Sequence, residues 1–344
     1  MTIKRVVDIS RRVALVSAAA LMAGSTTTTL YATQWQAQVG AHGSNVGNEA
    51  LAFLPNEFWI HAGDSVQFTF ATNELHTVSF LTVGQLRPPP YNSFGKNGGV
   101  FIGCPGVTPD GSSFDNSTCV TSDVTTTPGT TYTVNFPSTG NFRLVCLIHE
   151  RMTGAIHVLP VSQTLPYDQA FYDEQANREK NKLLSIASAL ERRGDAQGKD
   201  TRKGKITTGA EAITADGGGS QQAQVDRFFG DTTFVRVGDT VEWTNTSASL
   251  AHTVTFGDEP LNVIPPSTGL TQDSDGVLHA TISSPNDQVN SGFLAILGQE
   301  AIGQAETPPD PTRFRVTFTA PGIFKYICSL HDFLGMKGRV IVYP

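Results

Sequence analysis

Hydrophobic and polar residues alternate along several short segments of this chain. The alternation covers residues 66–70, 132–136, 241–243 and 314–318. A period of two places successive side chains on opposite faces of an extended strand, so these segments predict β-strands with one buried face. Turn-forming residues such as Ala62-Gly63-Asp64 separate the segments, which indicates an all-β protein built of antiparallel sandwiches.

The strand pattern occurs twice along the sequence. Residues 63–68 match residues 238–243, residues 75–80 match residues 251–256, and residues 140–149 match residues 322–331. A repeat of this length indicates a duplicated domain rather than a solenoid of short units. We therefore expect one domain at residues 33–160 and a second at residues 205–344, which agrees with the length of 344 residues.

Residues 161–204, between the two copies, have no strand pattern. Leu183, Ile186, Ala187 and Leu190 recur at the spacing of one helix face. Residues 178–205 carry nine basic and four acidic residues. The sequence thus predicts a linker with a helix that lies against one domain and ends near Gly194, followed by a flexible basic tail.

The N-terminal segment has the composition of an export signal. A basic stretch containing Arg11 and Arg12 precedes an apolar run over residues 13–24, and Leu30-Tyr31-Ala32 fits a cleavage site. We expect residues 1–32 to be removed, which leaves a periplasmic or secreted protein with no transmembrane span. An uncleaved membrane anchor is the alternative interpretation.

The whole chain carries a net charge of −7, and 16 % of its residues are charged. Removal of the basic signal would make the protein more acidic still. Nucleic-acid binding relies on clustered positive charge, so an acidic exported protein is not expected to have a nucleic-acid partner.

The four cysteines fall into two kinds. Cys104 and Cys119 flank a polar loop that the second copy lacks, and we expect them to form a disulfide. Cys146 and Cys328 are equivalent in the two copies, and each is followed by a histidine and a methionine. With one upstream histidine per copy, the candidate metal ligands are His76, Cys146, His149 and Met152, and His252, Cys328, His331 and Met336.

One thiolate, two imidazoles and one thioether are the ligands of a mononuclear electron-transfer copper site. Thiolate and thioether stabilise Cu(I), while imidazole suits both oxidation states. Zinc also binds histidine and cysteine, but a methionine and a single cysteine per site argue against it. The sequence predicts two copper ions per chain.

Both copies resemble the cupredoxins, the group of plastocyanin, azurin and amicyanin. The second loop, Cys-x-x-His-x-x-x-x-Met, is similar to that of plastocyanin, and the shorter first loop is similar to that of amicyanin. The resemblance implies two Greek-key β-sandwiches, each with a type 1 copper at one end. The residue after the upstream histidine is often asparagine in that family, whereas here it is Thr77 or Thr253.

The resemblance implies an electron-transfer protein whose partners are redox proteins such as a cytochrome or a copper enzyme. Two-domain copper oxidases and nitrite reductases are an alternative, but they need extra histidines beside the cysteine, where this chain has Val145 and Ile327. Copper sequestration or delivery is a third hypothesis for the function. Storage proteins generally use ligand sets rich in methionine or cysteine, and this chain has only four methionines.

Overall fold

The computed structural model of the protein describes residues 32–85, 104, 106–198, 204–247, 250–259, 266–295 and 312–344. The predicted export signal, apart from Ala32, lies outside the described residues, and so do residues 199–203 of the predicted basic tail.

The described residues form two β domains and one helix between them. The strands of the first domain are β1 (Gln34–His42), β2 (Asn48–Leu54), β3 (Glu57–His61), β4 (Ser65–Phe70), β5 (Ser79–Phe80), β6 (Ser112–Ser113), β7 (Val120–Thr121), β8 (Thr131–Asn135), β9 (Gly140–Val145) and β10 (Thr153–Leu159). The helix is α1 (Gln169–Gly198).

The second domain repeats this arrangement. Its strands are β11 (Lys205–Asp216), β12 (Gly219–Phe229), β13 (Thr232–Arg236), β14 (Thr240–Asn245), β15 (Thr255–Phe256), β16 (Thr271–Gln272), β17 (Leu278–Ile282), β18 (Val289–Asn290), β19 (Arg313–Phe318), β20 (Gly322–Ile327) and β21 (Lys337–Tyr343). A short 3-10 turn (Asp332–Leu334) precedes the last strand.

Each domain is a two-layer sandwich, as the alternating pattern predicts. In the described residues, one layer of the first domain has the strand order β3-β10-β9-β5-β7, and one layer of the second has β13-β21-β20-β15-β18. The facing layers contain β4 and β8 in the first domain and β14 and β19 in the second. The alternating side chains Val66, Phe68 and Val134 are buried in the first core, and Val241, Trp243 and Val316 are buried in the second.

The two domains share one continuous sheet. β2 pairs antiparallel with β12, with Glu49 opposite Gln224 and Ala50 opposite Ala223. This pairing joins the facing layers of both sandwiches into a sheet of eleven strands among the described residues. Since β2 and β12 are equivalent strands of the duplicated domains, the halves meet through the same edge of each.

Helix α1 covers this junction. Its apolar face, which includes Leu183, Ala187 and Leu190, packs on small side chains of both domains, among them Ala50 and Ala223. The prediction that the helix lies against one domain is therefore wrong: it spans the strands on either side of the junction. No helix in the described ranges is both long enough and apolar enough to cross a membrane.

The helix also continues through Gly194, where the sequence predicts its end, and its described residues extend to Gly198. A Cβ atom at Gly194 would collide with the ring of Phe229 on β12. The glycine is thus required for close contact between helix and sheet rather than for ending the helix.

A buried carboxylate on the helix connects the two domains by hydrogen bonds. Glu179 accepts the backbone N–H of Asn56 at 3.1 Å and the side-chain N–H of Gln221 at 2.9 Å. Burial raises the pKa of Glu179, although these donors oppose the shift. The Glu179 carboxylate is therefore hydrogen-bonded to both domains.

Candidate metal centres

Three of the four predicted ligands of the first domain, His76, Cys146 and His149, come together, and Met152 is buried in the same loop. His76 lies on a short bridge opposite Thr125, just before β5. Cys146 directly follows β9, and Met152 directly precedes β10. The intervening loop is closed by backbone hydrogen bonds from Cys146 to Met152 and from Met152 to His149, both at 3.0 Å.

The polar ligand atoms of this site converge. The Nδ1 atoms of His76 and His149 are 3.2 Å apart, and Cys146 Sγ is 3.7 Å from His149 Nδ1. All four predicted ligand side chains are at most 1 % exposed. The two imidazoles thus direct the same nitrogen atom toward the thiol.

The second domain contains an equivalent site. The Nδ1 atoms of His252 and His331 are again 3.2 Å apart, and Cys328 Sγ lies 3.4 Å from His331 Nδ1. The longer loop is accommodated by the 3-10 turn, which ends at Gly335 with a φ of 90°. Met336 is fully buried beside Cys328 in the same core. In each domain the histidine and cysteine ligand atoms all lie within 4.8 Å of one another.

Threonine connects the upstream histidine segment to the metal-binding loop. The Thr77 hydroxyl accepts the N–H of Leu147, and the Thr253 hydroxyl accepts that of Ser329, both at 2.8 Å. The backbone N–H of each threonine in turn points at the cysteine sulfur, at 3.4 Å. The cross-link that the family often makes with asparagine is made here by a hydroxyl group.

A glycine covers the outer edge of each upstream imidazole. Gly40 has a φ of 70°, and a Cβ atom there would lie 2.7 Å from His76 Nε2. Gly209 has a φ of 64° and approaches His252 in the same way. Neither glycine is among the predicted site residues, although both lie at equivalent places before the two copies of the repeat, which is a signal in the sequence.

The charges at the first site are arranged to hold a thiolate. Burial raises the pKa of Cys146, but its interactions with His149 and His76 outweigh burial and place the pKa well below the ordinary value. Burial by itself would lower the pKa of His149, yet its contacts with Cys146 and Glu74 raise the pKa to about 9. Without metal, the site favours a thiolate beside an imidazolium, and a cation binding there would replace the proton.

Charged neighbours also act on the histidines of the second site. Burial lowers the pKa of His331, but the charges of Asp226 and Cys328 raise it to about 10. Burial and the neighbouring positive charge of His331 together lower the pKa of His252 well below the ordinary value.

Three buried acids that sequence analysis missed lie between the two sites. Glu74 contacts His149 and His331, Asp226 lies 3.8 Å from His331, and Glu49 lies on β2 at the sheet junction. Burial raises the pKa of Glu49 and of Asp226, and the neighbouring acids add to that shift. Burial also acts to raise the pKa of Glu74, but its contact with His149 and the nearby positive charges lower it to about 2.

The remaining predicted site residues lie apart from the metal-ligand clusters. Cys104 and Cys119 form a disulfide with a Cα–Cα distance of 5.4 Å. The other histidines have partners of their own: His61 contacts the carbonyl oxygen of Gln163 at 2.7 Å, and His157 contacts Glu57 at 3.0 Å. His42 contacts the carbonyl oxygen of Gly43, and His279 contacts Asp273.

Known structures that are similar to parts of this chain include two small copper proteins and one copper enzyme. Plastocyanin from Dryopteris crassirhizoma is 18 % identical over 40 % of this chain and 99 % of its own, with a TM-score of 0.20. Auracyanin B is 15 % identical over 38 % of this chain and 90 % of its own, with a TM-score of 0.27. The copper-containing nitrite reductase from Thermus scotoductus SA-01 is 13 % identical over 91 % of this chain and 68 % of its own, with a TM-score of 0.23. A search of curated proteins finds no match.

Fold and sites together define a two-domain cupredoxin in which the described part of each domain contains one His–Cys–His cluster. The sequence profile of the copper binding proteins of the plastocyanin/azurin family matches residues 41–159 and again residues 219–343. The chain therefore belongs to the plastocyanin/azurin family, and its cofactor is copper.

Proposed function

We propose that this protein is an electron carrier with one type 1 copper in each domain. The proposed ligands are His76, Cys146, His149 and Met152 in the first domain, and His252, Cys328, His331 and Met336 in the second. The observation that carries the proposal is the convergence of two histidines and one cysteine at the equivalent place in both domains.

The donor chemistry fits copper. A copper ion bound by this set supplies a one-electron couple between Cu(I) and Cu(II). The chain holds the donors through hydrogen bonds within each loop and through the Thr77 and Thr253 cross-links. Donors held in this way keep one arrangement, which minimises the rearrangement that accompanies a change of oxidation state.

Burial favours electron transfer over chemistry on a bound substrate. The eight proposed ligands are at most 2 % exposed. A substrate would need a coordination position that it can reach from solvent, as in catalytic metal sites. An electron needs no such opening.

The experiment that tests the assignment is copper loading followed by visible absorption spectroscopy. The oxidised protein should bind two copper ions and show an intense thiolate-to-copper band. Cys146→Ser and Cys328→Ser should each remove one copper and its share of the band. A colourless copper-loaded protein, or a band that survives both substitutions, would refute the proposal.

The same preparation separates the carrier from the alternatives. A carrier should exchange electrons with a cytochrome or a small copper protein and show no turnover of nitrite or dioxygen. Turnover with more than two copper ions per chain would instead indicate an enzyme. Rapid loss of both metals to a weak chelator would indicate storage or delivery.

We further propose that the protein works in the periplasm or is secreted. The basic and apolar composition of residues 1–32 supports export. The Cys104–Cys119 disulfide supports an oxidising compartment. Determining the N-terminus of the protein isolated from its native cells tests this, and a retained Met1 in a cytoplasmic fraction would contradict it.

A further inference from the structure

One carboxylate oxygen lies between the two candidate copper sites. Glu74 Oε1 is 3.3 Å from Nε2 of His149 and 4.0 Å from Nε2 of His331. The two imidazoles belong to different domains, and their Nε2 atoms cannot be farther apart than the sum of these distances. All three side chains are at most 3 % exposed.

The tautomer of each histidine follows from the site. Nδ1 of His149 and of His331 faces the other ligand atoms of its own cluster. A ring that binds a metal through Nδ1 carries its proton on Nε2, and a polar partner of that N–H fixes the orientation of the ring. Glu74 Oε1 provides a carboxylate partner for Nε2 of His149 at 3.3 Å, and at 4.0 Å it acts on Nε2 of His331 through its charge.

The arrangement is not symmetric, although the domains are duplicates. The position equivalent to Glu74 in the second copy is Leu250, two residues before His252. Leu250 is buried and apolar, so it provides no second carboxylate. Glu74, contributed by the first domain, therefore lies within 4.0 Å of a candidate ligand histidine of each site, while Asp226 of the second domain lies 3.8 Å from His331.

The domain contact explains why the carboxylate stays buried. Asp226 on β12 donates its backbone N–H to Gly47 of the first domain at 2.8 Å, and a Cβ atom on Gly47 would lie 3.5 Å from the Leu334 carbonyl oxygen of the second metal-binding loop. On the other side, Ser220 of the second domain donates its N–H to Thr153, directly after the first metal-binding loop, at 2.8 Å. The hairpin turn of each domain thus covers the metal-binding loop of the other.

From this geometry we propose that Glu74 is a positioning residue shared by the two copper centres, and that it links them into one unit. The inference rests on the proposed function. If both sites held copper, His149 and His331 would be the ligands of the two ions that approach the same carboxylate. Electron exchange between the ions would oxidise one Cu(I) while it reduced one Cu(II), and no bond would form or break.

The test measures the effect of Glu74 on the site in the other domain. In a Cys146→Ser background only the second site binds copper, and its ligands are all distant from Glu74 in sequence. Glu74→Leu should lower the Cu(I) affinity of that second site about 10–100-fold, the usual cost of losing the partner of a metal-bound histidine. Competition with a Cu(I) chelator measures the affinity. Glu74→Gln keeps an acceptor oxygen and should recover most of the loss.

Glu179→Leu is the matched control, since Glu179 is a buried carboxylate at the same domain junction but on the helix side of the sheet. It should reduce stability and leave copper affinity unchanged. If Glu179→Leu weakens copper binding as much as Glu74→Leu does, general loosening of the junction explains the effect and the proposal fails. A Glu74→Leu effect confined to the first site, measured in a Cys328→Ser background, also overturns it.

A measurement on the unaltered protein does not depend on a variant that folds. In the Cu(I) form, the Nε2 protons of His149 and His331 should both give slowly exchanging NMR signals with a nuclear Overhauser contact to Glu74. Fast exchange at either ring refutes the shared contact. These outcomes differ from failure of the proposed function, because the visible band and the two copper ions per chain would remain.

Discussion

Replacing Thr77 with valine tests how the upstream histidine segment is held to the metal-binding loop. The Thr77 hydroxyl accepts the N–H of Leu147 at 2.8 Å, and both residues are fully buried. Valine has nearly the same shape but offers no acceptor, so the Leu147 N–H would remain in the core unpaired. A buried donor without a partner costs about 1–3 kcal/mol, which is the expected loss in the free energy of unfolding.

The equivalent substitution, Thr253→Val, provides an internal comparison. Thr253 accepts the N–H of Ser329 at the same distance of 2.8 Å, but Ser329 is 9 % exposed whereas Leu147 is 0 % exposed. Water can compensate in part for a lost acceptor near the surface. We therefore expect the loss for Thr253→Val to lie near the lower end of the same range, about 1 kcal/mol.

The assay is urea unfolding of the copper-loaded protein, followed by the visible band and by circular dichroism. Thr131→Val is the control, because Thr131 is exposed at the start of β8, where a substitution should change stability by less than about 0.5 kcal/mol. If Thr77→Val is as stable as this control, or if it disturbs the second site as much as the first, the Thr77–Leu147 hydrogen bond does not hold the upstream histidine segment to the metal-binding loop.

Three further outcomes are expected. Leu183→Ala should lower the free energy of unfolding by about 2–5 kcal/mol in a denaturant titration, because it opens a cavity where the helix packs on both domains; an unchanged midpoint would contradict the packing argument. Replacing Cys104 and Cys119 together with serine should cost about 3 kcal/mol of stability and leave the visible band intact; loss of the band in a folded variant would refute the separation of the disulfide from copper. Hydrogen bonds from Arg315 lower the pKa of Asp275 to about 2 from 3.8, so their stabilising effect is present above pH 3.8 and is lost as the pH falls toward 2. Acid unfolding curves of Arg315→Gln should therefore be flatter over that interval than those of the parent protein, and equal slopes would count against the ion pair.

Much of this protein could be predicted from contiguous stretches of sequence. The alternation over residues 66–70 specifies a strand with one buried face wherever it packs, because the side-chain period of an extended chain is two. The short loop from Cys146 to Met152 contains a thiol, an imidazole and a thioether. The duplication then shows that neither pattern is accidental. Fold class, copper and the candidate ligands all follow from such local information.

The union of the two domains is decided only in the tertiary structure. All seven residues of β2 are buried, since the helix covers one face and the first core covers the other. Its pairing with β12, about 170 residues away, depends on which sheet edges remain free after each sandwich has closed. No local pattern around residues 48–54 specifies that partner.

The position of Glu74 has the same origin. Glu74 lies two residues before His76, a candidate ligand. In an isolated first domain, a glutamate at that position could equally well face water. Its burial between His149 and His331 arises because hairpin turns from both domains close over the metal-binding loops. Sequence alone thus predicted the candidate donors of each site, since three of them lie in one short loop and the upstream histidine recurs at the equivalent place in both copies. The tertiary structure decided that the two sites share one carboxylate, because that contact joins side chains from separate domains.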